Sequence, residues 1–594
     1  MTDTLVAGTK RKMADRPRNF RRRYFRIINA ELPVFVLGLL AAALIVAVVS
    51  VVIWATFLKG LPGVDAVFSL ANYETFLVHS MTGKVALNTV VIGIGSMLVS
   101  MFFAVPIAWL MQRTTIPGKG LILTMLFLHV LLPGFLTTMG WIMLLSPDVG
   151  ILNVLLRTII PVERGPLSPY NILSIIFLQG ITLTPINYFL IAGAFVAVDP
   201  AYEESARTCG SSLSRVLRKV TLPLLAPAIL AAALYIFMAA VSMFEIAQLV
   251  GTPKQIWVFS TLMYDALHPD AGLPNYGAAS VYGTALLIPM LIVLYFYQKM
   301  LRASYRYATV SGKGYKPKLT DLGKWTWVGV FFVLIYFLLD VVMPLVAVLW
   351  ASLVPHIQVP SIAALATLSL RAYASAFRTL TSGGVLSNTL ILMISVGIVV
   401  LMISLVISWI VLRTRLPGRY ILDSIAMLPH GVPRVGLAFA GLFLGLTLVR
   451  VMPFFYGSLL TIVVVEIVAF TSFGTRSINS ALIQIHRDLE DAVQTLGASR
   501  LIGLRTVVMP ILAPTLFYVV TWTALMAYRE VTMPLFLESP RNVVISTSIF
   551  QSWLHGGAAE AAALGIIMVL AMAIIMGITL KLNPWGFRKR LALG

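Results

Sequence analysis

One cysteine in 594 residues, Cys209, excludes an intrachain disulfide and a thiolate metal cluster. Charge is scarce as well: Asp, Glu, Lys and Arg make up 11% of the chain, where a soluble domain carries about 25%. Acids are the rarer kind, 23 against 44 basic residues. A phosphate-binding loop needs Gly, four residues, then Gly-Lys followed by Ser or Thr. The nearest stretch, Ser311-Gly312-Lys313-Gly314, has neither the spacing nor the hydroxyl residue after lysine. The chain therefore lacks the loop with which such motors grip ATP, and no ATP hydrolysis is expected from it. No cluster of His, Cys, Asp or Glu has metal-ligand spacing, so the sequence assigns no metal ligand and no cofactor.

What fills the chain instead is apolar residue, 59% of the total with a mean hydropathy of +0.92, the composition of a polytopic membrane protein. A net charge of +21 would suggest nucleic acid in a soluble chain. Here Lys and Arg gather in short polar segments between apolar runs, the pattern of cytoplasmic loops, so the partner is the bilayer and no nucleic acid is expected. Residues 1–32 form a basic tail, with Lys10, Arg11, Lys12, Arg16, Arg18, Arg21, Arg22, Arg23 and Arg26. The apolar run after it is too long for a cleaved signal peptide.

A helix crosses the hydrocarbon in about 20 residues. Windows of that kind lie near 33–57, 86–112, 121–145, 171–197, 223–248 and 279–299, then 327–351, 386–412, 421–447, 457–474, 510–535 and 561–581. That predicts an all-α fold of about twelve transmembrane helices with both termini cytoplasmic.

The chain also repeats itself. Residues 203–227 return without a gap 287 positions later as 490–514, pairing Glu203 with Glu490, Gly210 with Gly497, Arg218 with Arg505 and Pro223 with Pro510. A second block recurs 300 positions on: Asn88, Thr89, Trp109, Arg113, Pro117, Gly118 and Pro133 become Asn388, Thr389, Trp409, Arg413, Pro417, Gly418 and Pro433. Thirteen residues are therefore missing between Pro433 and Glu490, and the amphipathic stretch Ile151–Ile160 lies in the segment expected to be shortened. Halves with an even number of spans that start on one side are parallel repeats. The predicted division is a tail 1–32, a first six-span domain 33–300, a linker 301–325, a second six-span domain 326–582 and a basic tail 583–594.

The repeated segment is predicted to be a helix-turn-helix on the cytoplasmic surface. Acidic residues suit its first turn, Gly210 permits a sharp turn, and Pro223 is expected to end the segment near the membrane and open the next span. A plain connector has no reason to recur residue for residue.

These residues resemble the inner-membrane permeases of bacterial ATP-binding-cassette importers. The signature of that family is Glu-Ala-Ala, three residues, Gly, about nine residues, then an aliphatic residue shortly before Leu-Pro. The copies here read Glu204-Ser205-Ala206 with Gly210, Val220 and Leu222-Pro223, and Asp491-Ala492-Val493 with Gly497, Val507 and Met509-Pro510. The resemblance implies that Glu203, Glu204, Ala206, Gly210, Pro223, Glu490, Asp491, Ala492, Gly497 and Pro510 belong to loops that dock on two copies of a cytoplasmic ATPase. It also implies a periplasmic solute-binding protein, an inner-membrane location and alternating access. The fused form is most similar to permeases for ferric iron, thiamine and aminoethylphosphonate, with polyamine permeases more distant.

Charge inside a membrane is expensive and usually faces a cavity. Glu245, Arg434, Glu466, Arg529 and Glu530 are the candidates for the translocation pathway, with Asp340, His129 and His430 nearby in the spans. Arg434 follows Pro433 and reads either as a contact for an anionic cargo or as a helix-locking partner of Glu466 or Asp340. Arg529 and Glu530, being adjacent, point to different sides of a helix. A secondary transporter of the twelve-helix type is the competing class, and the duplicated loop argues against it. A membrane enzyme is disfavoured because His79, His268, His356, His486 and His555 are scattered without partners.

Overall fold

Proline decides where these helices bend, because it lacks the N–H that an α-helical ladder needs. In the computed structural model, which describes residues 16–60, 62–269, 271–305, 319–414, 416, 418–486, 488–495 and 500–582, helices dominate. Strand is confined, among those residues, to one antiparallel pairing of Leu58–Lys59 with Val67–Phe68 and an isolated bridge. Ten of the described helices are long and apolar enough to cross a membrane. Two further stretches, expected as spans over 121–145 and 421–447, are broken. The pair Lys119–Val130 and Gly134–Leu145 bends by 96°, and Arg419–Gly431 with Arg434–Leu448 by 104°. The breaks fall at Pro133 and Pro433, whose rings cannot continue the ladder. With each bent pair taken as one span the total is twelve.

The two repeats have the same element order. Helix Thr82–Arg113 corresponds to Val385–Arg413, Ile172–Ala197 to Leu459–Ile483, Leu222–Ser242 to Met509–Arg529, and Tyr276–Tyr305 to Ala558–Leu582. Arg113 and Arg413 end their helices 300 residues apart, and the starts Ile172 and Leu459, and Leu222 and Met509, are 287 apart. The thirteen residues absent from the second copy lie where expected: the first copy has an extra helix, Ile151–Ile159, between its broken span and the next. In the second copy residues 449–458 join the equivalent helices with turns alone.

Local hydrogen bonds explain why Asn-Thr recurs. Asn88 Nδ2 donates to Trp257 O (3.0 Å) and Thr89 Oγ1 accepts from Phe259 N (3.3 Å). In the second repeat Asn388 Nδ2 donates to Val543 O (3.1 Å) and Thr389 Oγ1 accepts from Ile545 N (3.0 Å). The pair thus fixes the start of a long helix to the N-terminal end of a short one, satisfying backbone groups that a helix start leaves open.

The first helix of each half packs on the other half. Ala41 and Ala42 share a buried cluster with Ile407, Ile410, Val411, Leu422 and Ala426. Conversely Gly140 meets the backbone of Pro344 so closely that a Cβ there would lie 2.3 Å from its carbonyl oxygen. Trp141 Nε1 donates to Leu339 O across the same contact (3.1 Å). Beside it Tyr336 Oη donates to Asp340 Oδ2 (2.5 Å), and His129 Nδ1 lies 3.0 Å from that oxygen without hydrogen-bond alignment. All three are buried. Asp340 is therefore held by Tyr336 and His129, not by Arg434.

Candidate functional site

Two regions carry the candidate residues: the duplicated loops at one end of the molecule and a charge cluster where the halves meet. In the first loop, helix Ala201–Thr208 carries Glu203 and Glu204 in its first turn. Gly210 then takes φ +80°, a left-handed turn that glycine adopts freely and a branched side chain does not. The expected stop at Pro223 does not occur. A short helix, Leu213–Val216, runs into a π-helical turn over Leu217–Thr221 and on into Leu222–Ser242 without leaving helical geometry. The second repeat does the same with a π-turn over Leu504–Val508 before Met509–Arg529. A third π-turn, Leu338–Val342, precedes Met343-Pro344. In all three cases proline is the second residue after the widened turn, so the missing N–H is absorbed by a local change of register in place of a break.

The carboxylate of Glu203 faces inward. Its Oε1 accepts from Arg113 Nε (3.2 Å) and from Thr221 Oγ1 (3.0 Å). Arg113 also donates to the carbonyls of Phe195 and Val198, both at 3.0 Å, at the C-terminal end of helix Ile172–Ala197. Arg413 repeats this, donating to Leu482 O (3.0 Å) and Ile485 O (2.9 Å). Glu204 and Ala206 are partly exposed, while Pro223, Ala492 and Pro510 are exposed. Glu490 and Asp491 sit in helix Asp488–Thr495, and Gly497 lies outside the described residues. The end of the linker joins this region: Thr320 N donates to Arg113 O (2.9 Å), Thr115 N donates to Thr320 O (3.1 Å), and Arg207 donates to Thr320 Oγ1.

The second region forms where both broken spans meet the ends of helices Leu222–Ser242 and Met509–Arg529. Arg434, directly after the break at Pro433, donates to Glu530 Oε2. Its side chain remains 44% exposed although Tyr235, Glu245, Glu466 and Glu530 surround it, so the guanidinium stays accessible. Arg529 turns the other way and donates to Val130 O and to Leu132 O (3.0 Å), the free carbonyls of the break in the first half. Thr532 Oγ1 donates to Glu245 Oε2 (3.3 Å). Glu466 is fully buried, and among the described residues neither of its oxygens has a hydrogen-bond partner. The structure gathers the five candidates into one cluster, and the partner of Arg434 is Glu530, neither Glu466 nor Asp340.

Repeat offsets give this cluster its logic. The positions equivalent to Glu245, Arg434, Glu466, Arg529 and Glu530 are Thr532, Gly134, Gln179, Ser242 and Met243. Every charge has a neutral counterpart. Close to the pseudo-twofold axis a residue meets its own copy, as Glu245 and Thr532 do, and two like charges 4 Å apart repel by about 4 kcal/mol at an effective dielectric constant of about 20. A fused chain, in which the halves can diverge, avoids that cost and presents one asymmetric polar site.

At the opposite end from the loops, Thr379, Glu538, Gln551, His555 and Glu560 line an open pocket of the second half. Glu560 accepts from Ser375 (2.9 Å) and Thr379 (2.6 Å), and burial raises the Glu538 carboxyl against the opposing effect of Gln551.

A bundle of membrane-spanning helices with a charged internal site, and with a duplicated surface helix at one end, is a transport protein. Residues 77–307 match the family described as binding-protein-dependent transport system inner membrane component, and the chain is a permease of the ATP-binding-cassette importer class. It is 24% identical over 490 residues to a ferric transport system permease protein of Actinobacillus pleuropneumoniae, covering 82% of this chain and 68% of that one. A putative ferric transport system permease protein of Haemophilus influenzae is 24% identical over 470 residues, 78% of this chain and 71% of that one. A sulfate transport system permease protein of Salmonella typhimurium is 36% identical over a shorter stretch of 126 residues, 19% of this chain and 43% of its own. A solved bacterial transporter that imports alginate aligns with 44% of this chain and 95% of its own at 18% identity and a TM-score of 0.34.

Proposed function

We propose that this inner-membrane permease imports ferric iron, driven by two copies of a separate cytoplasmic ATPase that dock on residues 203–227 and 490–514. A periplasmic binding protein delivers the cargo, and closure of the ATPase pair draws the two loops together to turn the spans from inward-open to outward-open. Both termini lie in the cytoplasm on this reading, and the chain divides into permease domains 33–300 and 326–582. The observation that carries the mechanism is the paired loop: helix, Gly210, helix in the first half, and helices Asp488–Thr495 and Arg500–Gly503 in the second, each pair continuous with a spanning helix, in a chain without a nucleotide loop. The iron assignment is supported by the likeness over most of the chain to the two ferric transport system permease proteins.

The same site supports a second cargo reading. Arg434 keeps an accessible guanidinium, which suits an anionic solute such as a phosphonate, or iron carried as an anionic complex. Reconstitution with the ATPase and binding protein, followed by ATP-dependent uptake of labelled ferric iron, tests both. Uptake without ATP would return the chain to the secondary transporters, and uptake of aminoethylphosphonate in preference to iron would replace the cargo.

A further inference from the structure

The two loops and the charge cluster lie at different depths, and matching hydrogen bonds to backbone groups run between them in each half. Arg113 is the last residue of helix Thr82–Arg113 and is buried. It holds the carbonyl end of helix Ile172–Ala197 through Phe195 and Val198, and the coupling loop through Glu203. A fork-shaped guanidinium can bind several acceptors at once with fixed angles, which an ammonium cannot. At the other end of the same long helix, Asn88 and Thr89 hold Trp257 O and Phe259 N. The next residue, Ser260, donates to Met243 O (3.3 Å), two residues before Glu245.

The second half repeats the links to backbone groups; the bond to the loop carboxylate is seen in the first half. Arg413 holds Leu482 O and Ile485 O. Asn388 and Thr389 hold Val543 O and Ile545 N, and Ser546 donates to Glu530 O (2.6 Å). Although the charges of the cluster diverged between the halves, these polar links did not. A link that served packing alone would be replaceable by apolar contact, whereas these recur as the same atoms on the same backbone groups.

We infer that Arg113 with Asn88-Thr89, and Arg413 with Asn388-Thr389, are positioning residues that make each second spanning helix a push rod between the coupling loop and the charge cluster. The inference rests on the importer reading above. None of these six residues bonds to Arg434, whose partner is Glu530, so their effect on transport must pass through the helix.

The test uses the full permease assembled with its ATPase and binding protein, and reads ATP hydrolysed per cargo molecule imported. Thr89→Val with Thr389→Val removes the acceptor hydroxyls while nearly keeping shape. This double variant is expected to raise the ATP cost per import by about tenfold, within the range of coupling between distant sites, with Thr89→Ser and Thr389→Ser restoring the wild-type ratio. Arg113→Lys with Arg413→Lys is expected to act in the same direction with the complex still assembled. A valine double variant that imports at the wild-type ratio overturns the inference, and so does a loss of import that merely follows the amount of assembled complex. Failure of the wild-type complex to couple import to ATP would instead overturn the importer reading.

Discussion

Glu245 and Thr532 occupy equivalent positions in the two repeats, 287 residues apart, and are hydrogen bonded to each other at 3.3 Å. Two equivalent residues can touch only beside the axis that relates them, so this bond marks the centre of the permease. The charges around it are single copies on a duplicated frame.

Arg434 and Glu530 are expected to behave as a half-exposed pair whose members differ in role. Arg434→Ala leaves the Glu530 carboxylate, 2% exposed, without its cation though still bonded to Thr532 N, and with the guanidinium half exposed the cost falls below the about 3–5 kcal/mol of a fully buried pair. Yield and thermal stability in detergent should fall. Adding Glu530→Gln should recover folded protein. If the double variant also recovers import, Arg434 is a helix lock and not a cargo contact.

Gly210 tests the turn between the coupling helices. No atom lies within 4 Å of a Cβ built there, so substitution meets backbone strain and no clash. A branched residue in the left-handed region costs roughly 1–2 kcal/mol while Asn is tolerated. Gly210→Val with Gly497→Val should abolish import and binding-protein stimulation of ATP hydrolysis while membrane insertion persists. Gly210→Asn should retain most activity, and import by the valine double variant would remove the docking role.

Pro223 and Pro510 should set the rotation of the loops. Alanine at these positions restores an N–H, which allows the π-turns over Leu217–Thr221 and Leu504–Val508 to tighten to α-helix. Losing one residue from a turn rotates what precedes it by about 100°. ATP hydrolysis is then expected to continue with little import, and cross-linking between cysteines at the loop and the ATPase should change its pairing pattern.

Asp340 is expected to be a structural anchor between halves. Asp340→Ala strips the partner of the buried Tyr336 hydroxyl, at a cost of about 1–3 kcal/mol for an unsatisfied donor. Asp340→Asn keeps an acceptor. The alanine variant should show a lower unfolding midpoint than the asparagine variant, with import per folded molecule similar in both.

Much of this was legible in the chain. The offsets of 287 and 300 located the repeats because a fused duplication keeps surface loops in register, and the five pathway charges stood out because few others interrupt the spans. The partners did not follow from sequence. Arg434 meets Glu530 only because Pro433 breaks its span, and a hydropathy window averages over such a bend. Proline at 223 read as a stop, since the widened turn that absorbs it has no composition of its own. Arg113 and Arg413 appeared as mere markers of a cytoplasmic edge, although their recurrence with Asn-Thr at one offset was the signal that they hold something in both halves.

Thr320 gives the fusion a mechanical meaning. It is tied to Arg113, Thr115 and Arg207 at the first loop and lies three residues ahead of the stretch that begins the second half's first spanning helix, Gly323–Leu353. A tug on the first loop therefore reaches the second half through a splice, as well as through the packed interior. The first loop is thus tied to both halves at once, and a displacement there is felt on either side of the join.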